Sequence, residues 1–184
     1  MANRPNFLHD PTPDLEARAI FAEDYESLGF VMNLSFLWSH QPAALHGLLG
    51  LARQVAEEGG ITPRQRFLIV LASSAARESK YCVLAWQRKF PGLLEPASIA
   101  GIVDGVAPIA GLEASEQALV TWVRLCVERP TATRHEDVEI LRAAGYSDRQ
   151  IFAVTVFAAL RMAFATVNDA LGAEPDDELR AAGS

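Results

Sequence analysis

The chain has 184 residues, 50% of them hydrophobic, and 23 acidic against 16 basic side chains give a formal net charge of −7. That length and apolar content suffice for one domain with a buried core, and the acidic balance, with no Lys/Arg cluster, lacks the positive footprint that gripping nucleic acid requires. Two cysteines, Cys82 and Cys126, are too few for a secreted disulfide framework, and the opening "MANRPNFLHDPTPDL" lacks the charged-then-apolar pattern of a signal peptide, so a cytoplasmic protein with reduced thiols is expected.

After an N-terminal arm of residues 1–12, Thr12 followed by Pro13 is expected to start a helix carrying Leu15, Ile20, Phe21, Tyr25 and Leu28, ended by Gly29. A short apolar piece, "LSFLWSH", follows. Pro42 opens a helix whose Leu45, Leu48, Leu49, Ala52 and Val55 obey the i, i+3, i+4, i+7 rule, and Gly59-Gly60 stop it. "TPRQ" at Thr62 is a capping box with proline at the first helical position, leading into an apolar run from Phe67 to Ala76 that reads as a central helix. Polar "RESKY" interrupts that run. Ser79 then reads as the N-cap of a second helix, its hydroxyl accepting the N–H of residue 81 or 82, with Val83, Leu84 and Trp86 inside it and Pro91-Gly92 at its end. Residues 62–90 thus form a core helix pair.

A Gly/Pro-rich middle from Pro91 to Gly111 separates this pair from "LEASEQALVTWVRLCVERP", a helix with Leu119, Trp122, Val123 and Cys126 on its inner face and Pro130 at its end. Thr133 with Glu136 forms a further capping box, Gly145 ends that helix, and Ser147 with Gln150 caps the next. The helix so opened contains "IFAVTVFAAL" and is apolar on nearly every face, so it must be covered by the chain's own helices or by a second subunit. A homo-oligomer, dimer or higher, is the expectation. Arg161, Asn168 and Asp169 interrupt the stretch well short of a charge-free membrane span, and no membrane partner is expected. Gly172 and an acidic tail, residues 173–184, complete the chain. Because the caps repeatedly open helices, the fold should be an all-α bundle, one domain over 1–184, with a long buried C-terminal helix.

With these helices placed, "ITPRQRFLIVLASSAARESKYCVLAW" resembles the core of the alkylhydroperoxidase D-like proteins, in the carboxymuconolactone decarboxylase superfamily. The flanks "YESLGFVMNLSFLWSHQPAALHGLLGL" and "TRHEDVEILRAAGYSDRQIFAVTVFAALRMAFATVNDALGAEPDDEL" resemble its peroxidase-related branch. The resemblance implies an all-α fold and a redox core reading Glu, eleven residues, Cys, two residues, Cys, three residues, His. Laid on this sequence, those positions fall on Phe67, Ser79, Cys82 and Trp86. Only Cys82 is retained.

In such a site a thiolate attacks a peroxide O–O bond and becomes a sulfenic acid, which the second cysteine captures as a disulfide for an external dithiol to reduce. Here the resolving thiol and the proton relay are replaced. Cys82 keeps the helix start, where free N–H groups favour a thiolate, and Lys80 is a candidate to assist it. Ser79 reads as an N-cap, and Phe67 and Trp86 read as packing groups that make the cavity apolar. Glu78, Tyr81, His40 and His46 are possible substitute proton carriers, none with diagnostic spacing. The four histidines lie without an i, i+3 or i, i+4 pair, so the sequence offers no metal motif. No cofactor motif appears either. Arg161, inside an apolar helix, calls for an acidic or carbonyl partner, or else anchors an anionic ligand.

Two functions follow, from different classes. One is a single-cysteine, antioxidant reduction of hydroperoxides through Cys82, an oxidoreductase activity with an external thiol as reductant. The other is a catalytically degenerate oligomer that binds a small apolar ligand or a protein partner. A lyase activity like that of the superfamily's namesake is a thinner third, since no convincing pair of proton-transfer groups is present.

Overall fold

The computed structural model describes residues 6–9 and 11–181, and within them every regular element is a helix. The first, α1, spans Leu15–Leu28. Its cap is Asp14 and not Thr12, because the Asp14 carboxylate accepts the Ala17 N–H at 2.8 Å and supplies the negative charge a helix start favours. That shift turns Leu15 and Tyr25 outward and leaves Ala17 and Ile20 as the buried contacts. Gly29 ends the helix in the left-handed conformation, with φ +86°, as its position implied.

The apolar piece that follows is a short helix, α2 (Asn33–Trp38), and α3 (Pro42–Glu58) runs from its proline to the glycine pair. Gly59 has a packing reason to lack a side chain: a Cβ there would lie 2.3 Å from that of Ala153. The central helix α4 (Pro63–Ala75) starts with the expected reciprocal box between Thr62 and Gln65 and is buried at every position from Phe67 to Ser74. Such all-round burial needs neighbours on all sides. The helices that supply them are α5 (Lys80–Lys89), α6 (Pro96–Asp104), α7 (Ala114–Glu128) and α9 (Asp148–Ala170). Of these, α6 lies in the Gly/Pro-rich stretch from which no helix had been expected; Pro96 at its first turn and Gly105 just past its end are compatible with it.

A 3₁₀ turn, Pro130–Ala132, leads into α8 (His135–Ala143), whose start lies one residue later than the Thr133 box implied. The Asp137 carboxylate accepts the Arg134 N–H at 2.8 Å, while the Thr133 hydroxyl bonds the Pro130 carbonyl. Ser147 and Gln150 cap α9 reciprocally, as read. This long helix packs on α3, α4, α7 and α8, but its outer face is open, with Phe152 72% exposed and Ala159, Ala163 and Thr166 at the surface. It is not the last helix.

Beyond it the acidic segment forms α10 (Asp177–Ala181), which returns to pack on α5 and buries Leu179. The N-terminal arm is likewise fastened where described, the Phe7 N–H bonding the Leu171 carbonyl at 2.9 Å. Residues 1–5 and 10 of that arm, and 182–184 of the tail, lie outside the described residues.

Candidate functional site

The polar break between α4 and α5 is a tight helix-to-helix turn. The Ser79 N–H reaches back to the Ser74 carbonyl at 2.9 Å, and Glu78 takes the left-handed conformation, φ +55°, that this closure requires. Glu78 is exposed and makes no contact with the cysteine. Ser79 does precede α5 as its cap residue, but its hydroxyl does not cap the helix; it donates instead to Asp169 Oδ1 on α9 at 3.0 Å. The expected bond to residue 81 or 82 loses to this tertiary partner. First-turn N–H groups of α5 are left without a side-chain cap, and Cys82 is the third residue of that turn.

Cys82 is buried, and its Sγ lies 3.8 Å from Arg161 Nη2. Arg161 is itself 8% exposed, in the middle of α9. Among the described residues no ion pair includes Arg161, and its Nε has no hydrogen-bond partner. The expected acidic partner is therefore replaced by a sulfur. Two aromatic faces flank the cation: its Cζ is 4.7 Å from the centroid of Phe164 and 5.6 Å from that of Trp86. Burial pushes the guanidinium below its ordinary value, and the adjacent sulfur opposes that shift. A buried cation with no carboxylate is costly unless an anion lies nearby. The group in contact that can become one is the Cys82 thiol.

Trp86 stands one turn beyond Cys82 on the same face of α5. It packs with Phe67 and Phe90 at centroid separations of 6.2 and 5.0 Å. On the other side, Trp38 stacks on Phe164 at 5.3 Å and donates to Asn168 Oδ1 at 2.8 Å, leaving the buried Asn168 Nδ2 unpaired. Arg161, Phe164 and Asn168 recur at spacings of three and four residues, so they share one face of α9. Outside the aromatic layer an open groove of about 790 Å³ runs between α5 and α6, lined by Phe67, Val83, Leu84, Phe90, Ile99 and Val103 among others. Phe67 and Phe90 face both the groove and Trp86.

None of the auxiliary groups suggested by sequence joins the sulfur. Lys80, His40 and His46 are exposed. Tyr81 points elsewhere, donating to Asp176 Oδ2 at 2.5 Å and accepting the Leu34 N–H at 3.2 Å. Burial first, then the Asp176 carboxylate, pushes that phenol far above its ordinary range. Cys126 is half-buried beside a small apolar cavity of about 240 Å³, where burial, with Asp137 adding, pushes its thiol up to about 11. It belongs to that apolar face, away from the Arg161 pair. Arg161 was singled out in the sequence as a charge inside an otherwise apolar run, but its place beside Cys82 was not expected.

No protein-family model matches the chain, and no curated protein matches it. Solved structures do. An alkylhydroperoxidase AhpD core, a peroxidase-related protein from Ralstonia eutropha JMP134, superposes with a TM-score of 0.84 at 20% identity, over 97% of this chain and 96% of that one. A peroxidase-related protein from Silicibacter sp. TM1040 gives 0.79 at 22% identity, over 96% and 95%. The debrominase Bmp8, as a cysteine-to-alanine variant in complex with 2,3,4-tribromopyrrole, gives 0.72 at 16% identity, over 96% of each chain.

Proposed function

From the alkylhydroperoxidase D-like fold that this chain carries, we propose a thiol-dependent peroxidase in which Cys82 is the sole redox cysteine. Its thiolate attacks a peroxide oxygen, a sulfenic acid forms as the O–O bond breaks, and an external thiol reduces it by way of a mixed disulfide. The observation that supports this reading most directly is the 3.8 Å approach of Cys82 Sγ to a buried guanidinium that has no carboxylate among the described residues. A fixed cation and the free N–H groups of a helix start both favour a thiolate. They take the place of the relay that the family's motif would put at Phe67 and Trp86. The test is peroxide consumption with a dithiol donor, native protein against Cys82→Ser: a Cys82-dependent rate supports the proposal, and equal rates sink it.

A second reading has its own support. The groove is lined largely by apolar side chains, with Gln87, Arg88 and Asp104 among them, and one structural neighbour holds a halogenated aromatic, so non-covalent binding of a small apolar ligand is the alternative. Retained apolar-dye binding with an inert Cys82 favours it. We propose further that α9 is covered by a second copy through Phe152, Ala159, Ala163 and Thr166. Light scattering on Phe152→Glu tests this, and an unchanged mass for native and variant overturns it.

A further inference from the structure

Granting that Cys82 is the nucleophile, we propose that the substrates it handles best are peroxycarboxylic acids with an aryl or alkyl tail, and not alkyl hydroperoxides or hydrogen peroxide. The inference comes from what stands beside the sulfur. Arg161 supplies charge but no proton, because a guanidinium stays protonated throughout the working range of proteins. Phe67 and Trp86 supply neither. Among the described residues no histidine, carboxyl or phenol hydrogen-bonds to Cys82; Tyr81 is committed to Asp176 and Ser79 to Asp169. The site thus activates a nucleophile without providing a general acid.

That asymmetry decides which O–O bond can break. With hydrogen peroxide the departing group is hydroxide, a strong base and hence a poor leaving group without a proton; alkoxides from alkyl hydroperoxides are comparably basic. Both need a proton during the step. With a peroxycarboxylic acid the departing group is a carboxylate, whose conjugate acid ionises near about 4.3. The step then balances without the protein's help. The Cys82 thiolate attacks the terminal peroxy oxygen, the S–O bond forms, and the O–O bond breaks with its electron pair passing to the carboxylate oxygen. The products are Cys82 sulfenic acid, whose hydrogen came with the transferred oxygen, and the carboxylate anion. Sulfur is oxidised by two electrons and the peroxy group is reduced by two. Two external thiols return the sulfenic acid to the thiol, releasing water and their disulfide.

The surroundings suit that product. The Arg161 Nε, which has no partner among the described residues, is the donor a carboxylate would take, and a guanidinium donates to carboxylates in a two-pronged geometry. The Phe67 and Phe90 rings that pack on Trp86 also line the groove between α5 and α6, where Val83, Leu84 and Ile99 give a tail an apolar surface.

The experiment measures second-order rate constants for Cys82 oxidation by hydrogen peroxide, cumene hydroperoxide and perbenzoic acid, followed by loss of the free thiol. Each is divided by the rate constant of a small free thiolate with the same oxidant, which removes intrinsic oxidant strength. General acids contribute roughly 10² to 10⁴ in rate where a proton is needed, so the normalised value for perbenzoic acid should exceed the other two by on the order of 10² or more. Arg161→Lys keeps a cation but introduces a group that can release a proton, and it should narrow that gap by raising the hydroperoxide values. Equal normalised values across the three oxidants in the native protein overturn this inference and leave the peroxidase reading standing. No Cys82-dependent oxidation by any of them overturns both. If the lysine variant does not fold, the native comparison decides alone.

Discussion

Arg161→Met separates a catalytic cation from a structural one. At 3.8 Å a thiolate and a guanidinium attract by about 4 kcal/mol at the effective dielectric of about 20 that suits protein sites. Removing the charge takes up to that attraction from the anionic sulfur that must react, and each ~1.36 kcal/mol is tenfold in rate. Alkylation of Cys82 by iodoacetamide at neutral pH should therefore slow by between about tenfold and a thousandfold. Stability should move the other way or not at all. The variant loses contacts of the cation with Phe164 and Trp86, worth about 2 kcal/mol when desolvated. It gains by no longer burying a charge that lacks a carboxylate, and apolar replacement of buried ions is often neutral or stabilising by about 1–4 kcal/mol. Urea denaturation provides the second readout. A loss of about 3–5 kcal/mol, the cost of breaking a buried pair, together with unchanged alkylation, would refute the reasoning and make Arg161 a structural residue.

Cys126→Ser should leave thiol reactivity at neutral pH unchanged, since burial already holds that thiol up to about 11; mass spectrometry after limited alkylation should find a single label, on Cys82. Glu116, held below its ordinary value by Arg64 through bonds of 2.5 and 3.2 Å, contributes stability above its unfolded-state value of 4.5 and loses it as pH falls through the lower folded value. Glu116→Gln should accordingly cost about 1 kcal/mol at pH 7, discounted because Arg64 is part-exposed, and progressively less as pH falls through the folded value. Asp176 behaves oppositely: burial raises it above 3.8, so the folded state holds its proton more tightly and this group's contribution declines as pH rises from 3.8 through the folded value. Asp176→Asn should flatten that part of a urea-stability profile, and an unchanged slope would contradict it.

How much was legible depended on whether the deciding interaction was local. The boxes at Thr62 and Ser147 involve groups three residues apart, so residue type and spacing settle them, and both form as read. The same logic misplaced the starts of α1 and α8 by two residues or fewer, because Asp14 and Asp137 are competing acceptors that the shorter-range pattern did not weigh. Helix α6 hides in a Gly/Pro-rich stretch, since those residues bracket a helix as readily as they break one. The acidic segment at the end looked like a solvated tail. It folds back because Asp176 finds the Tyr81 hydroxyl and the Asn33 N–H at 2.5 and 2.7 Å, partners more than ninety residues away in sequence.

The site divides along the same line. Cys82 at a helix start follows from position, and Phe67 and Trp86 as apolar replacements follow from the resemblance to the alkylhydroperoxidase D-like motif. The cation beside the sulfur does not, because it comes from α9, and the sequence supplied three nearer cation or acid candidates in Lys80, Glu78 and His40, all of which face solvent. What distinguishes Arg161 is its cost. A flexible surface charge needs no explanation, whereas a guanidinium that remains buried beside two aromatic rings without a carboxylate is destabilising unless something offsets it. Strained or unsatisfied groups of this kind concentrate where function requires them. By that argument the candidate site is marked by the single unfavourable choice in an otherwise consistent helix, and on the proposed reading its chemistry would be set by a cation that can attract an electron pair but cannot hand over a proton.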